Sequence, residues 1–328
     1  MKIVAGLGSI DEYIPYVLAG ADELFCGYVP YNWTKKYGTV LPLNRREVLA
    51  YNVQLGSFSE LEILLAMIRK YRKPVHIAMN SLYYIPEQYE EIADIVKQCM
   101  KIGFDSFILA DPALILYLRQ KGISCKIHLS GEVGEMNREA IKVFREMGIG
   151  RIIFHRKNTV ASMRQMIEAV NAEKLEFEAF ALNELCQFTG AFCNSLHCDE
   201  MGYLCRTTYW GDAEMEERME RVIKRTLEIE EQQEQQEQQY LCGKSGCALC
   251  ALPQLEAAGI THLKLVGRGN YVEDMIRDIR NLKAALGVLE ENQREEKETG
   301  RYIDQLNKKI FDGQPCGNNC IYTSGQFL

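Results

Sequence analysis

The chain has 328 residues, of which 47% are hydrophobic and 25% are charged, with a formal net charge of -7. A chain of this length and composition can bury the core of one barrel-sized domain or of two ordinary domains. The acidic balance argues against a protein that is basic overall and coats nucleic acid or anionic membranes, although a local basic patch is compatible with it.

The order of secondary-structure signals along the chain predicts the architecture. Short apolar segments predicted as β-strands recur at residues 2–6, 22–28, 75–79, 106–110, 125–130, 151–155, 176–182 and 261–267. Amphipathic segments predicted as helices lie between most of them, among them 59–73, 86–103, 136–148 and 161–173. Eight strands alternating with helices predict an α/β protein with a parallel sheet that closes into a (β/α)₈ TIM-like barrel, and an open doubly wound sheet is the alternative.

One crossover is far longer than a single helix. It separates the seventh and eighth strands and spans residues 183–260, and its cysteines include Cys186, Cys193, Cys205, Cys242, Cys247 and Cys250. We expect a barrel domain over residues 1–290 that includes this cysteine-rich insertion, followed by a tail over residues 291–328 with a CxxxC motif, Cys316 and Cys320. The tail pair either folds back over the barrel mouth or belongs to a flexible end with exposed thiols.

The cysteine content indicates metal or redox chemistry. The chain has twelve cysteines but no signal-peptide pattern at its start and no run of about 18 apolar residues, so we expect a cytoplasmic protein without a membrane span. Cys26, Cys99 and Cys125 fall in apolar or helical patterns and are expected to be small buried hydrophobes. Four gathered thiolates bind an iron-sulfur cluster or zinc. A single CxxC pair and a wide spacing from Cys186 to Cys193 favour the cluster.

Polar residues at the ends of the predicted strands form a candidate pocket, because the loops after barrel strands build the active sites of such enzymes. Asn80, Asp111, Ser130, Arg156 and Arg268 are expected there as substrate-binding residues, and His128 as a catalytic residue. Glu178 and Lys264, on neighbouring strands, alternate so that both can point inward and pair. The pair is either a stabilising ion pair or a catalytic element, with Lys264, Arg156 and Arg268 holding an anionic substrate.

Several segments carry a resemblance to a known family. The pattern E-x-F-x(5)-C-x(6)-C-x-S over residues 178–195, Cys205, and the segment LPQLEAAGITHLKLVGR at residues 252–268 resemble the signature of the collagenase-like peptidase U-32 family. AGADELFCGY, VHIAMNSL and FILADPALI are similar to the first strands of that family, so the resemblance covers most of residues 1–290.

The resemblance implies redox chemistry more than proteolysis. Family members include oxygen-independent hydroxylases of ubiquinone, transfer RNA and ribosomal RNA, and some carry 4Fe-4S clusters, use prephenate as a co-substrate or work with a partner protein of the same family. By position, Cys186, Cys193 and Cys205 match three of the family's cysteines. The fourth metal ligand is Cys247 or Cys250 by this comparison, and Cys242 is a weaker candidate.

These features predict an iron-sulfur enzyme that hydroxylates, or otherwise modifies by redox chemistry, an acceptor that can be a small molecule, a peptide or an RNA. A collagenase-like peptidase is the alternative, although the sequence has no HExxH motif and no G-x-S-x-G elbow. A metal-binding partner subunit without catalysis, carrying zinc in place of the cluster, is the third interpretation.

Overall fold

The computed structural model describes residues 1–46, 53–170, 174–183, 242–243, 245–294, 299–313 and 319–322. Within them, the strands are β1 (Lys2–Leu7), β2 (Glu23–Gly27), β3 (Val75–Met79), β4 (Ser106–Leu109), β5 (Lys126–Leu129), β6 (Arg151–Ile153), β7 (Glu176–Leu182) and β8 (His262–Leu265). Each strand pairs in parallel with the next, and β8 pairs with β1, so the described strands form a closed eight-stranded barrel. The predicted (β/α)₈ fold is confirmed, and the open sheet is excluded.

Helices cover the outside of the barrel. The α-helices of the described residues are Tyr13–Ala19, Tyr31–Tyr37, Phe58–Tyr71, Pro86–Ile102, Pro112–Gln120, Arg138–Glu146, Val160–Val170, Leu252–Ala257, Val272–Arg294 and Thr299–Ile310. Short 3₁₀ turns lie at Ile10–Glu12, Gly131–Val133 and Leu249–Ala251. The apolar core fills the layer between helices and strands, because each strand turns one side outward to a helix.

Local signals explain where several helices begin. The helix Phe58–Tyr71 starts with a capping box, in which Glu60 N donates to Ser57 Oγ at 3.3 Å and Ser57 N donates to Glu60 Oε2 at 2.8 Å. Asp111 caps the helix Pro112–Gln120 by accepting a hydrogen bond from Ala113 N at 2.8 Å. These exchanges satisfy backbone N–H groups that the first helical turn leaves without partners.

The long crossover returns to the barrel before β8. Its described part bridges to the end of β7 through Leu182 and Cys247, and then forms the turn Leu249–Ala251 and the helix Leu252–Ala257. That helix takes the position of the crossover helix that a barrel requires between its last two strands. No helix within the described ranges is long and apolar enough to cross a membrane.

Candidate active site at the barrel mouth

Buried charges occupy the interior of the barrel. Lys264 Nζ donates to Glu178 Oε1 at 2.9 Å, which is the pair that strand alternation predicts. Arg151 Nη1 donates to Glu178 Oε2 at 3.0 Å, so this carboxylate lies between two cations. Arg151 Nη2 also contacts Glu23 Oε2 at 2.7 Å and Glu176 Oε2 at 2.8 Å. The charges compensate one another, as burial of ions requires.

Protonation in this network follows from burial and charge. Burial opposes ionisation of Glu178, but Lys264 and then Arg151 outweigh it and hold the pKa of its carboxyl below the ordinary value. Burial is the largest influence on Lys264 and lowers the pKa of its ammonium, against the attraction of Glu178. Glu178 is therefore a carboxylate, and Lys264 releases a proton more readily than an exposed lysine does.

Histidines continue the network across the barrel. His76 Nε2 lies 3.0 Å from Glu23 Oε2, its Nδ1 hydrogen-bonds Ser106 Oγ, and its ring packs against His128 with centroids 4.4 Å apart. Burial, followed by the charges of His76 and Arg151, lowers the pKa of His128 well below its ordinary value. His128 is thus neutral and buried inside the barrel.

Above the charges, two aromatic rings support the cations of the mouth. Lys264 Nζ lies 3.6 Å from the centre of the Phe25 ring, and the Arg156 guanidinium lies 3.8 Å from the centre of the Phe180 ring. Arg268 lies farther from Phe25, at 5.9 Å, and donates through Nη1 to Asn44 Oδ1 at 3.2 Å. Phe180 and Lys264 are partners in the register of β7 and β8, so the three cations expected to hold an anion belong to one region.

Asn80 and Ser130 also reach the mouth. Asn80 Oδ1 accepts from Arg45 N at 3.1 Å, and Asn80 Nδ2 lies 3.5 Å from Ser130 Oγ. Asp111 is differently engaged, because its carboxylate caps a helix and accepts from Tyr89 Oη at 2.8 Å. These contacts give Asp111 a structural task, and its expected role in substrate binding stays a prediction.

A glycine makes room for Arg268. A Cβ atom at Gly27, the last residue of β2, would lie 2.6 Å from Arg268 Nη1 and 2.9 Å from Asn44 Nδ2. Real Cβ atoms do not approach other atoms so closely. Gly27 therefore allows the guanidinium to lie across the end of β2.

Cysteines gather beside this region. Cys242, Cys247, Cys250 and Cys320 line one pocket, which we call the thiol pocket, together with Ala248, Ala251 and Phe311. Cys247 forms a β-bridge with Leu182 at the end of β7, and Ala248 N donates to Ala181 O at 2.9 Å. Tyr322 also lines the pocket, and it lies close enough to Arg156 for that charge to influence its phenol. The thiol pocket therefore adjoins the cationic mouth.

The thiol pocket has the donors that thiophilic metals require, since thiolates bind both zinc and iron-sulfur clusters. Among the residues that the structure describes, no three His, Cys, Asp or Glu side chains are already arranged as a metal site. Cys186, Cys193 and Cys205, the metal ligands that the family resemblance suggests, lie outside the described residues, as does Cys316.

Sequence reasoning missed part of the site. Glu23 and Arg151 stand at the starts of β2 and β6, where charged residues are usually solvated. Strand alternation was the one available signal, because it places Glu23 on the same face as Phe25, and Arg151 on the same face as Ile153. Phe25 and Phe180 were indistinguishable from core residues, and Arg45 belongs to a loop.

Comparison with known proteins supports the resemblance. The model of peptidase family U32 matches residues 8–318. The tRNA hydroxylation protein P1 of Bacillus subtilis (strain 168) is 22% identical over 214 residues, which cover 64% of this chain and 46% of the relative. The tRNA hydroxylation protein P of Escherichia coli (strain K12) is 25% identical over 174 residues, which cover 53% of this chain and 34% of the relative.

A solved structure of a U32 peptidase aligns with a TM-score of 0.41 and 14% identity, over 55% of this chain and 69% of that one. This chain spans less than half the length of the two curated relatives. The family model, by contrast, covers nearly all of this chain, including β2 through β8. The chain belongs to peptidase family U32.

Proposed function

We propose that this protein is an iron-sulfur enzyme that hydroxylates its acceptor without oxygen, or modifies it by related redox chemistry. The observation that carries this proposal is the thiol pocket, which adjoins a mouth carrying Arg156, Lys264 and Arg268. The names of the two curated relatives, both tRNA hydroxylation proteins, support the same class of reaction.

A 4Fe-4S cluster, when bound, would transfer electrons or provide a Lewis-acidic iron. The expected ligands are Cys186, Cys193 and Cys205, with Cys247 or Cys250 as the fourth. Zinc is the alternative metal, because it accepts the same thiolates.

The described residues would bind and orient an anionic co-substrate. Arg156 and Lys264 are held over the rings of Phe180 and Phe25, so carboxylates of a co-substrate could bind the two cations. Prephenate, which the family resemblance suggests, has two carboxylates. Arg268 would provide a further hydrogen-bond donor beside them.

Lys264 would donate a proton during the reaction, and Glu178 would position Lys264. The lowered pKa of Lys264 suits an ammonium group that gives a proton to a reacting oxygen, and Glu178 Oε1 keeps Nζ in place at 2.9 Å. His128 was expected to be catalytic, but it lies below this layer beside His76, where it would act by orienting the network.

The acceptor is proposed from the relatives' names. A tRNA nucleoside is the first acceptor to test, while the net charge of -7 leaves a small aromatic molecule or a peptide as further candidates. This chain spans less than half the length of each named relative, and the tRNA acceptor is accordingly proposed from their names alone.

Anaerobic purification with iron, sulfide and zinc analysis tests the proposal. We expect a coloured protein with about four irons and four sulfides per chain, and loss of both in Cys193→Ala. Cys99→Ala, which removes a buried core thiol, is the matched control and should keep the cluster. Zinc without sulfide, or no bound metal, would contradict the proposal.

A peptidase is the second candidate, because Ser106, His76 and Glu23 form a hydrogen-bonded series like that of a serine hydrolase. All three are buried inside the barrel among ion pairs, which places this candidate second. Peptide cleavage by metal-free protein that is lost in Ser106→Ala would favour this candidate.

A further inference from the structure

A short part of the C-terminal tail, residues 319–322, lies against the thiol pocket; we call it the tail segment. Cys247 N donates to Asn319 O at 2.8 Å, and Ile321 N donates to Cys247 O at 2.8 Å. These bonds make Cys320 the parallel β-bridge partner of Cys247, whose antiparallel bridge partner is Leu182. Cys247 therefore links the end of β7 to the tail segment.

Buried side chains fix the tail segment in this position. Ile321 and Tyr322 are 6% and 2% exposed, whereas Cys320 is exposed. The preceding helix Thr299–Ile310 is itself attached to the pocket wall, because Tyr302 Oη donates to Leu249 O at 2.7 Å. The docked tail segment thus brings Cys320 to the pocket. Because Cys320 is exposed, it does not serve as a small buried hydrophobic residue, as many cysteines do.

We propose that Cys320 is a ligand, supplied by the tail segment, of the thiophilic metal centre at the thiol pocket. This inference rests on the metal centre of the proposed function. Because a cluster or a zinc ion takes four thiolates, Cys320 fills the fourth position, for which Cys247 and Cys250 are the other candidates. The metal is iron in an iron-sulfur cluster or a single zinc ion, since both take tetrahedral thiolate ligation. Among the described residues, the thiols are not already gathered as metal ligands, so metal binding would have to bring them together by rotation about their Cα–Cβ bonds.

Metal binding and docking of the tail segment are consequently coupled. Cys320 can bond to the metal only when the tail segment is docked. Bound metal therefore stabilises the docked state, and docking in turn helps to retain the metal. The tail segment then acts as a strap that covers the metal centre, and its Tyr322 side chain lies beside the cationic mouth.

Metal retention in a competing chelator tests the ligand. The full chain, loaded anaerobically with iron and sulfide or with zinc, is compared with Cys320→Ser, and metal release is followed by visible absorbance and metal analysis. Loss of a ligand should lower metal affinity by at least about tenfold, since mutation of residues that only hydrogen-bond to the ligands already lowers it by about that factor. Cys125→Ser, which removes a buried thiol just before β5, is the control and should release metal as the parent does.

Alkylation of Cys320 gives an independent measurement. We expect the thiol to be protected in the metal-loaded chain and reactive after chelation, as followed by peptide mass spectrometry. Equal metal retention in Cys320→Ser and the parent, or equal alkylation with and without metal, would overturn the assignment.

The two proposals fail differently. A parent chain that binds zinc but no iron and sulfide overturns the iron-sulfur function, while the zinc-release comparison still decides on Cys320. A parent with an iron-sulfur cluster that Cys320→Ser retains unchanged overturns the ligand alone. A parent that binds no thiophilic metal overturns both.

Discussion

At the scale of single residues, the interior of this barrel is unusual in being charged where barrels generally hold branched apolar side chains. Glu178 is 1% exposed and Arg151 is 2% exposed, and each contacts ions of opposite charge. Such a network is weak evidence for stability, because desolvation of ions costs about as much as their attraction returns. The network lies below Lys264 and contacts it through Glu178, so we infer that the network positions the Lys264 ammonium group at the barrel mouth.

The buried histidines predict a loss of stability in mild acid. Burial keeps the pKa of His128 below its unfolded value of 6.5, so as the pH falls through that value the unfolded chain takes up a proton that the folded chain does not. The free energy of unfolding should therefore decrease, by up to about 1.4 kcal/mol per pH unit for this histidine.

Urea unfolding at about pH 7 and about pH 5.5 measures this effect. His128→Gln removes the titrating group and should lose less stability between the two conditions than the parent does. His76 is present in both proteins and cancels in the comparison, although burial lowers its pKa as well. An equal loss in parent and variant would show that His128 does not titrate in this way.

At the scale of elements, the helix Thr299–Ile310 connects the tail to the site. Its Tyr302 is 1% exposed, and its hydroxyl satisfies the Leu249 carbonyl in the turn that precedes β8. The helix therefore contacts the same part of the crossover that carries Cys247 and Cys250. Sequence periodicity alone gave no reason to expect this contact.

Removal of the Tyr302 hydroxyl should weaken the attachment of this helix. Tyr302→Phe keeps the ring but leaves the Leu249 carbonyl without its donor, which costs about 1 to 3 kcal/mol. The free energy of unfolding by urea is the measurement. Tyr31→Phe changes an exposed tyrosine and should leave stability unchanged; a similar loss in both variants would contradict the explanation.

At the scale of the whole molecule, the barrel mouth is assembled from distant parts of the chain. Arg268 follows β8, but it lies over Gly27 at the end of β2 and is hydrogen-bonded to Asn44 in a loop. Closure of the barrel makes these contacts possible, because β8 pairs with β1 and β1 with β2. Space at Gly27 thus controls a cation of the proposed anion site.

Gly27→Ala should displace Arg268 and weaken binding of prephenate by about ten- to a hundredfold, because a hydrogen bond to a charged group contributes about 1.5 to 3 kcal/mol. Titration calorimetry with the metal-loaded protein measures the affinity. Gly56→Ala is the matched control, since a Cβ there would meet nothing within 4 Å. Parent-like affinity in Gly27→Ala would argue against a role for Arg268 in this site.

Much of the fold could be predicted because it depends on local patterns. Period-two segments such as EFEAFAL gave β7, and they also gave the Glu178–Lys264 pair, since strands that are neighbours in sequence are neighbours in a barrel. The other residues of the site could be predicted only where a polar or charged residue stands at or just after the end of a predicted strand. Asp111 shows the limit of that signal, because a strand end is also a helix start, and its carboxylate serves the helix.

The sequence by itself determined the order of the strands, the barrel class, the U32 family resemblance and the presence of a thiol-rich crossover. Only the tertiary structure decided that Arg151 and Glu23 join the charged interior, that Phe25 and Phe180 lie under the cations, and that Cys320 meets Cys247. The physical reason is that periodicity fixes which face of an element a residue occupies. Closure of the barrel and docking of the tail segment determine which other residues that face meets.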